Sequence, residues 1–225
     1  AQWGLDSCAV SAIGKDDLGD DIVRKFDENG LKYRLERVDF PTGVVQVTLD
    51  ENKVPSYNIK EGVAWDNIPM TPELETLARN CSAVCFGSLA QRSSVSRATI
   101  NAFVDLMPED SLKIFDINLR QHYFNEEIVC NSMNKADILK INDEEIIVVA
   151  EMLNITGKSQ KEICEVLLDR FALKMVILTC GDKGSYVLTA QESSWVDTPK
   201  VNVVSTVGAG DSFTGTFIAS ILLGK

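Results

Sequence analysis

Gly208, Ala209, Gly210 and Asp211, in the stretch "TVGAGDSF" at 206–213, are the residues whose types and spacing point most directly to chemistry. An apolar run follows them and predicts a helix from about residue 209 to 223. The first amides of a helix have no intrahelical acceptor. Glycines let such a backbone approach an anion closely, and the helix dipole adds about half a positive charge there. Asp211, in the first turn, stands where a carboxylate can take a proton from a hydroxyl as it attacks a phosphorus held by those amides. The same residues also fit a plain glycine-rich turn into a buried helix, with an acid placed favourably at its N-terminus.

Other chemistries find less support. "GKS" at 157–159 looks like the end of a phosphate-binding loop, but the glycine that should stand five residues before Gly157 is Met152. "GAGDSF" starts like a dinucleotide fingerprint, yet Phe213 occupies the third glycine's place. With one histidine, His122, a Ser–His–Asp or His-rich metal mechanism has little to draw on.

The elements that must position these residues can be read from periodicity. Residues 10–13 form a short buried strand, followed by a helix in which Leu18, Ile22 and Phe26 recur every four residues before Gly30 stops it. From 32 to 60 the chain is rich in β-branched and aromatic residues, "GVVQVTLD" and "KVPSYNIK" being separated by the polar "DENK"; this predicts antiparallel strands in a flap outside the main sheet. Beyond Pro72, strands at 81–87, 112–118, 136–142 and 174–181 alternate with helices. One helix carries the stripe Val95, Ala98, Ala102 and Leu106, a second runs from about 124 to 134, a third carries Ile146, Val149, Ala150 and Leu153, and a fourth runs from about 160 to 171. "GSYVLTA", "SSWVDT" and "KVNVVST" then read as a strand-rich piece. This rhythm predicts an α/β fold with a mostly parallel central sheet and helices on both faces, in which ligands gather at the carboxyl ends of the strands.

Charge and cysteine content narrow the partners. Lys and Arg number 22 against 33 Asp and Glu, a net charge of −11, so nucleic acid and anionic membrane surfaces are poor partners. An anionic substrate then needs a local positive feature, such as a helix N-terminus or bound Mg²⁺. The six cysteines (Cys8, Cys81, Cys85, Cys130, Cys164 and Cys180) lack the spacing of a zinc site and the density of a disulfide scaffold, which fits a reducing, cytoplasmic setting. No uncharged apolar stretch reaches about 18 residues.

Taken together, the motifs resemble the PfkB, or ribokinase-like, family of carbohydrate kinases. "STVGAGDSFTGTF" resembles the family's C-terminal signature, which implies Asp211 as catalytic base and Gly208, Ala209 and Gly210 as anion hole. "KINDEE" is similar to the Asn-x-x-Glu element and implies Asn142 on the nucleotide side and Glu145 near Mg²⁺; the same spacing also makes a capping box. "LTCGDKGSYVL" resembles the Thr-x-Gly-x-x-Gly pattern, implying nucleotide contacts at Thr179, Gly181 and Gly184, although two glycines can equally shape a turn. "AIGKDDLGDD" and "DINLR" resemble two substrate-side segments and imply Asp16, Asp116 and Arg120; Asp16 also suits a helix N-cap, and Arg120 a surface ion pair.

The resemblance implies ATP as co-substrate, Mg²⁺, a small-molecule sugar as acceptor, and an open question over K⁺. Residues 40–66 look most like bacterial fructokinases, implying a β-flap lid over the sugar and subunit pairing through it. The expected organisation is a kinase core of residues 1–31 and 67–225 with a strand lid at 32–66. Ser205 and Thr216 depart from the family's usual residues. The family's opening strand and a closing strand–helix unit are expected to lie outside Ala1–Lys225, in a chain of about 300 residues. A non-catalytic fragment, or a kinase of nucleosides or vitamin alcohols, is the alternative reading.

Overall fold

The computed structural model describes residues 3–49, 55–203 and 206–225. They divide into two compact units, residues 1–78 with 90–103, and residues 79–89 with 104–225.

The first unit opens with a strand–helix–strand crossover: β1 (Cys8–Gly14), α1 (Asp17–Glu28) and β2 (Lys32–Val38). Asp16 starts α1 as its N-cap, accepting a hydrogen bond from the Gly19 amide at 2.9 Å. β2 pairs with β1 in parallel, from Cys8 opposite Lys32 to Gly14 opposite Val38. The antiparallel flap is therefore smaller than expected and consists of β3 (Val45–Leu49) and β4 (Pro55–Ile59). The "DENK" turn expected between them lies outside the described residues. Residues 32–38 thus belong with the α/β crossover and not with a lid, because a strand that follows a helix returns most readily beside the strand that preceded it.

A buried ion pair ties this unit together. Arg92 Nε donates to Asp66 Oδ1 at 2.8 Å and its Nη2 to Oδ2 at 2.9 Å, both side chains being 5% exposed. The guanidinium also donates to the Lys60 carbonyl and lies 4.1 Å from the centre of the Trp65 ring. Helix α2 (Pro72–Asn80) and helix α3 (Ser94–Leu106) run on from this region. The apolar stripe expected of α3 is not its buried face: Val95 is exposed, whereas Ser96, Thr99 and Phe103 are buried. Hydrogen bonds reverse the simple reading. Ser96 Oγ donates to the Trp65 carbonyl at 2.8 Å and accepts from the Ile68 amide at 2.9 Å, and Thr99 Oγ1 donates to the Ile68 carbonyl at 2.6 Å. A satisfied hydroxyl can be buried at little cost.

The second unit is a six-stranded sheet in the order β10-β9-β8-β7-β6-β5, built from β5 (Ala83–Phe86), β6 (Leu112–Asp116), β7 (Ile138–Asn142), β8 (Met175–Thr179), β9 (Gly184–Leu188) and β10 (Ser193–Asp197). β5 to β8 are parallel; β9 and β10 run antiparallel to their neighbours. Residues 200–203, the start of the stretch "KVNVVST" expected to be strand-rich, have no regular structure, and 204–205 lie outside the described residues. Helices α4 (Glu126–Lys135), α5 (Glu145–Met152) and α6 (Gln160–Arg170) cover one face, where Phe115, Leu139, Ile141, Val176 and Leu178 form the main core. The expected α5 stripe is buried as read, from Ile146 to Leu153. Helix α7 (Ala209–Leu222) lies on the opposite face, its Phe213, Phe217, Ile218 and Ile221 packing on Ile114, Ile138 and Ile177.

Tyr186, on β9, carries a buried hydroxyl with no hydrogen-bond partner among the described residues. Tyr186→Phe removes a polar atom that gains nothing from its surroundings. Urea denaturation is expected to show unchanged or higher stability, by up to about 1 kcal/mol. A loss of that size instead would reveal a partner for the hydroxyl.

Candidate active site

Alternation along the parallel strands sorts the residues beneath α7. Side chains at Cα-paired positions of neighbouring strands share a face, so Ile114, Ile138 and Met175 form one apolar row. Two residues further toward the carboxyl ends, Asp116 pairs with Lys140, and Lys140 with Ile177; two further again, Asn142 pairs with Thr179. The face thus turns from apolar to polar where the strands end. Lys140 Nζ donates to Asp116 Oδ1 at 3.0 Å, with side chains only 9% and 13% exposed. The other carboxylate oxygen receives Thr214, from the second turn of α7: Thr214 Oγ1 lies 2.8 Å from Asp116 Oδ2 and 3.0 Å from the Gly210 carbonyl. A hydroxyl has one proton, and the carboxylate is the stronger acceptor.

Asn142 and Glu145 form the reciprocal box that their spacing allows. Asn142 Oδ1 accepts from the amides of Glu144 at 2.9 Å and Glu145 at 2.8 Å, while Glu145 Oε2 accepts from the Asn142 amide at 3.0 Å. Glu145 Oε1 reaches across to the Leu119 amide, also at 3.0 Å, and so clasps the loop after β6 to the start of α5. That loop is tightly wound, Asn118 and Gln121 having φ of 46° and 48°. Burial raises the Glu145 carboxyl above its ordinary 4.5, against the opposing pull of the two amides and the Lys140 ammonium; the Asp116 charge adds to the rise.

A raised folded-state value means that the fold binds this proton more tightly than the unfolded chain does. The resulting stabilisation is complete below the ordinary value and is lost as pH rises through the folded one. Thermal melts from pH 4 to 7 are therefore expected to show wild type losing stability relative to Glu145→Gln as pH rises above about 4.5. Wild type gaining stability relative to the variant with rising pH would overturn this account.

Gly208 precedes α7 with a left-handed backbone, φ 79° and ψ 3°, a conformation that costs a residue with a Cβ roughly 1 kcal/mol or more. The Ala209 amide donates to the Thr206 carbonyl at 3.1 Å, and the helix's own bonding starts with Ser212 donating to the Gly208 carbonyl at 2.9 Å. The amides of Gly210 and Asp211 lie between them in the first turn, where helical geometry supplies no acceptor. The Asp211 side chain is exposed and makes no hydrogen bond or ion pair among the described residues. A solvent-facing carboxylate beside unpaired amides, at the carboxyl edge of a parallel sheet, is an arrangement suited to phosphoryl transfer to an alcohol.

The model of the pfkB family carbohydrate kinases matches residues 1–225. The chain belongs to this family. PfkB members are ATP-dependent carbohydrate kinases, and this one is a sugar or nucleoside kinase of that kind. It is similar to the ATP-dependent 6-phosphofructokinase of Thermoanaerobacterium thermosaccharolyticum, with 30% identity covering 98% of this chain and 68% of the relative. A fructokinase of Rhizobium leguminosarum bv. trifolii is 24% identical, over 97% of this chain and 67% of its own. An E. coli protein described as ribokinase II, solved in complex with ATP and Mg²⁺, superposes with a TM-score of 0.83 at 20% identity, covering 100% of this chain and 72% of that one. The fold is ribokinase-like, as the motifs implied.

Within this PfkB kinase, Asp116, Asn142, Glu145, Thr179 and the 208–211 turn all belong to the second unit, whereas Asp16 belongs to the first. Asp16 has both oxygens engaged: besides Gly19, the Thr42 hydroxyl donates to Oδ1 at 2.6 Å and the Thr42 amide to Oδ2 at 2.8 Å. These bonds lower its carboxyl below the ordinary 3.8. Arg120 is exposed and donates to the Leu119 carbonyl at 3.0 Å. The Thr179 carbonyl accepts from the Asp143 amide at 3.0 Å, and the Gly181 carbonyl from the Thr198 hydroxyl at 2.7 Å. Gly184 is a close approach: a Cβ there would stand 2.5 Å from the Val196 carbonyl oxygen and 2.6 Å from the Trp195 ring.

Among the described residues, no group of three or more His, Cys, Asp or Glu side chains is arranged to hold a metal ion. No helix among them is long and apolar enough to cross a membrane. Sequence reasoning missed Lys140 and Thr214. The signal was available in part, since a lysine inside the buried run "ILKI" needs an acid on a neighbouring strand, and Thr214 stands one turn after Gly210.

Proposed function

We propose that this kinase transfers the γ-phosphoryl group of ATP to a hydroxyl of a fructose-type sugar. Asp211 orients the hydroxyl and takes its proton late in a loose transition state, while the backbone at Gly208–Gly210 holds the transferring group. The observation that carries this reading is the exposed Asp211 carboxylate in the same helical turn as the unpaired amides of Gly210 and Asp211. Ala209 contributes by shaping that turn, its own amide being bonded to Thr206. Positioning and charge stabilisation carry most of the rate, because the transition state asks little covalent work of the protein.

Thr179, Gly181 and Gly184, with Asn142, are assigned to the nucleotide side through the motif they share with the family. Of the three residues first read as substrate contacts, Asp16 and Asp116 are partly buried and held by hydrogen bonds at both oxygens, whereas Arg120 is exposed and so the best placed to meet an acceptor. Mg²⁺ accompanying ATP supplies charge neutralisation between the phosphates. The Glu145 oxygens each keep a lone pair beyond the amide they accept from, so Glu145 fits as an acceptor for metal-bound water and not as part of a protein cage. The β3–β4 hairpin is assigned the lid, and with it subunit pairing, from its likeness to the fructokinase flap.

An acceptor panel scored by ADP release tests the proposal: fructose, fructose 6-phosphate, ribose, nucleosides and hydroxymethylpyrimidines, each with Na⁺ or K⁺. Fructose is expected to give the highest kcat/KM. Preference for a nucleoside or a pyrimidine alcohol would overturn the sugar assignment, and preference for fructose 6-phosphate would move it to a phosphorylated acceptor, as in the phosphofructokinase relative.

A further inference from the structure

We propose that Lys140 is a positioning residue for the transferring phosphoryl group, holding a buried positive charge behind the first turn of α7. Its ammonium lies 3.5 Å from where a Cβ on Gly210 would stand. Among the described residues only Asp116 takes a hydrogen bond from it, so the ammonium keeps donors in excess.

Stability does not explain this arrangement. A buried ion pair loses most of its Coulombic gain to desolvation, and well-packed apolar residues serve as well or better. A cation beside a helix N-terminus is also unfavourable, since it meets the positive end of the dipole. Both features become favourable once an anion occupies the turn, because the dipole and the ammonium then act on it together in a poorly hydrated setting. Asp116 holds the ammonium in place while the turn is empty. Through Thr214 Oγ1, 2.8 Å from Asp116 Oδ2 and 3.0 Å from the Gly210 carbonyl, the pair is coupled to the backbone of the turn itself. Asp116 is thereby read as the partner that aims Lys140 and α7, not as a sugar contact.

This inference rests on the proposed role of the 208–211 turn, and the test separates the two. Lys140→Met is expected to lower kcat about 10- to 100-fold, less than the 10²- to 10³-fold loss of a donor in direct contact, with the KM for the acceptor sugar within about twofold. Lys140→Arg is expected to recover much of the rate. The deciding variant is Lys140→Met with Asp116→Asn, which removes both charges with side chains of similar size. If Lys140 merely neutralises Asp116, this double variant returns to the wild-type rate; the proposal expects a native melting temperature and a kcat still at least tenfold down. Should the double variant fail to fold, Lys140→Gln serves instead and must show the same fall in kcat at unchanged KM. An intact rate in either neutral variant, or a raised KM with kcat preserved, overturns the inference. Asp211→Asn is the control: full activity there removes the proposed function and this inference together, whereas an inactive Asp211→Asn beside a fully active double variant removes this inference alone.

Discussion

Asp211→Asn is expected to lower kcat about 10³-fold, within the range that general-base catalysis contributes. The amide matches the carboxylate in size and can still accept a hydrogen bond from the sugar hydroxyl, but it cannot take the proton. About 4 kcal/mol of transition-state stabilisation is lost at 1.36 kcal/mol per decade of rate. The nucleotide should bind nearly as before, because the amides of the turn remain. Stability should change little: the side chain is exposed, and an acid in the first turn of a helix contributes only about 0.3–1 kcal/mol. Single-turnover assays with calorimetric titration of ATP separate these effects. Turnover within tenfold of wild type would remove Asp211 from the chemistry.

The largest expected effect on stability lies at the other ion pair. Arg92→Met leaves the Asp66 carboxylate, 5% exposed, without its bidentate partner and strips the Lys60 carbonyl and the Trp65 ring of their cation. Breaking one side of a buried pair costs about 3–5 kcal/mol, a large part of the 5–15 kcal/mol that holds an ordinary domain together. Adding Asp66→Leu to Arg92→Met should recover much of the loss, since the uncompensated charge is then gone. Urea denaturation followed by tryptophan fluorescence checks this, Trp65 reporting from beneath the guanidinium. A single variant as stable as wild type would mean that water reaches the orphaned carboxylate.

Lys140 and Arg92 make a contrast. Both are buried cations paired with an acid, yet Arg92 has its donors distributed over Asp66 and backbone carbonyls, while Lys140 keeps donors in excess beside a helix N-terminus. The first is an arrangement that closes on itself. The second is complete only with an anion present. That difference is why the Arg92 variants are expected to be read in stability and the Lys140 variants in rate.

Features built from neighbouring residues were legible in the sequence. The α5 stripe is buried as its period predicts, α7 starts at the glycine-rich turn, and the Asn142–Glu145 spacing makes the box it permits. A cap, a turn or a helical face depends on residues within about one turn of one another, so the chain itself contains the whole interaction.

Where the partner is remote in sequence, the residues alone were silent. β2 carries the alternating pattern of a flap strand but pairs in parallel with β1, and nothing in residues 32–38 names that neighbour. The exposed Val95 and buried Ser96 and Thr99 of α3 depend on the Trp65 and Ile68 backbone, some 30 residues away, which satisfies the hydroxyls. Lys140 became a candidate only when strand register set it opposite Asp116 and packing set α7 above both. By itself, then, the sequence determined the family, the helix starts and the motif residues, because those rest on local geometry. Tertiary structure alone decided which charges are buried, which carboxylates are already engaged and which cation stands behind the first turn of α7, because electrostatic meaning depends on what the fold brings near and what it shields from water.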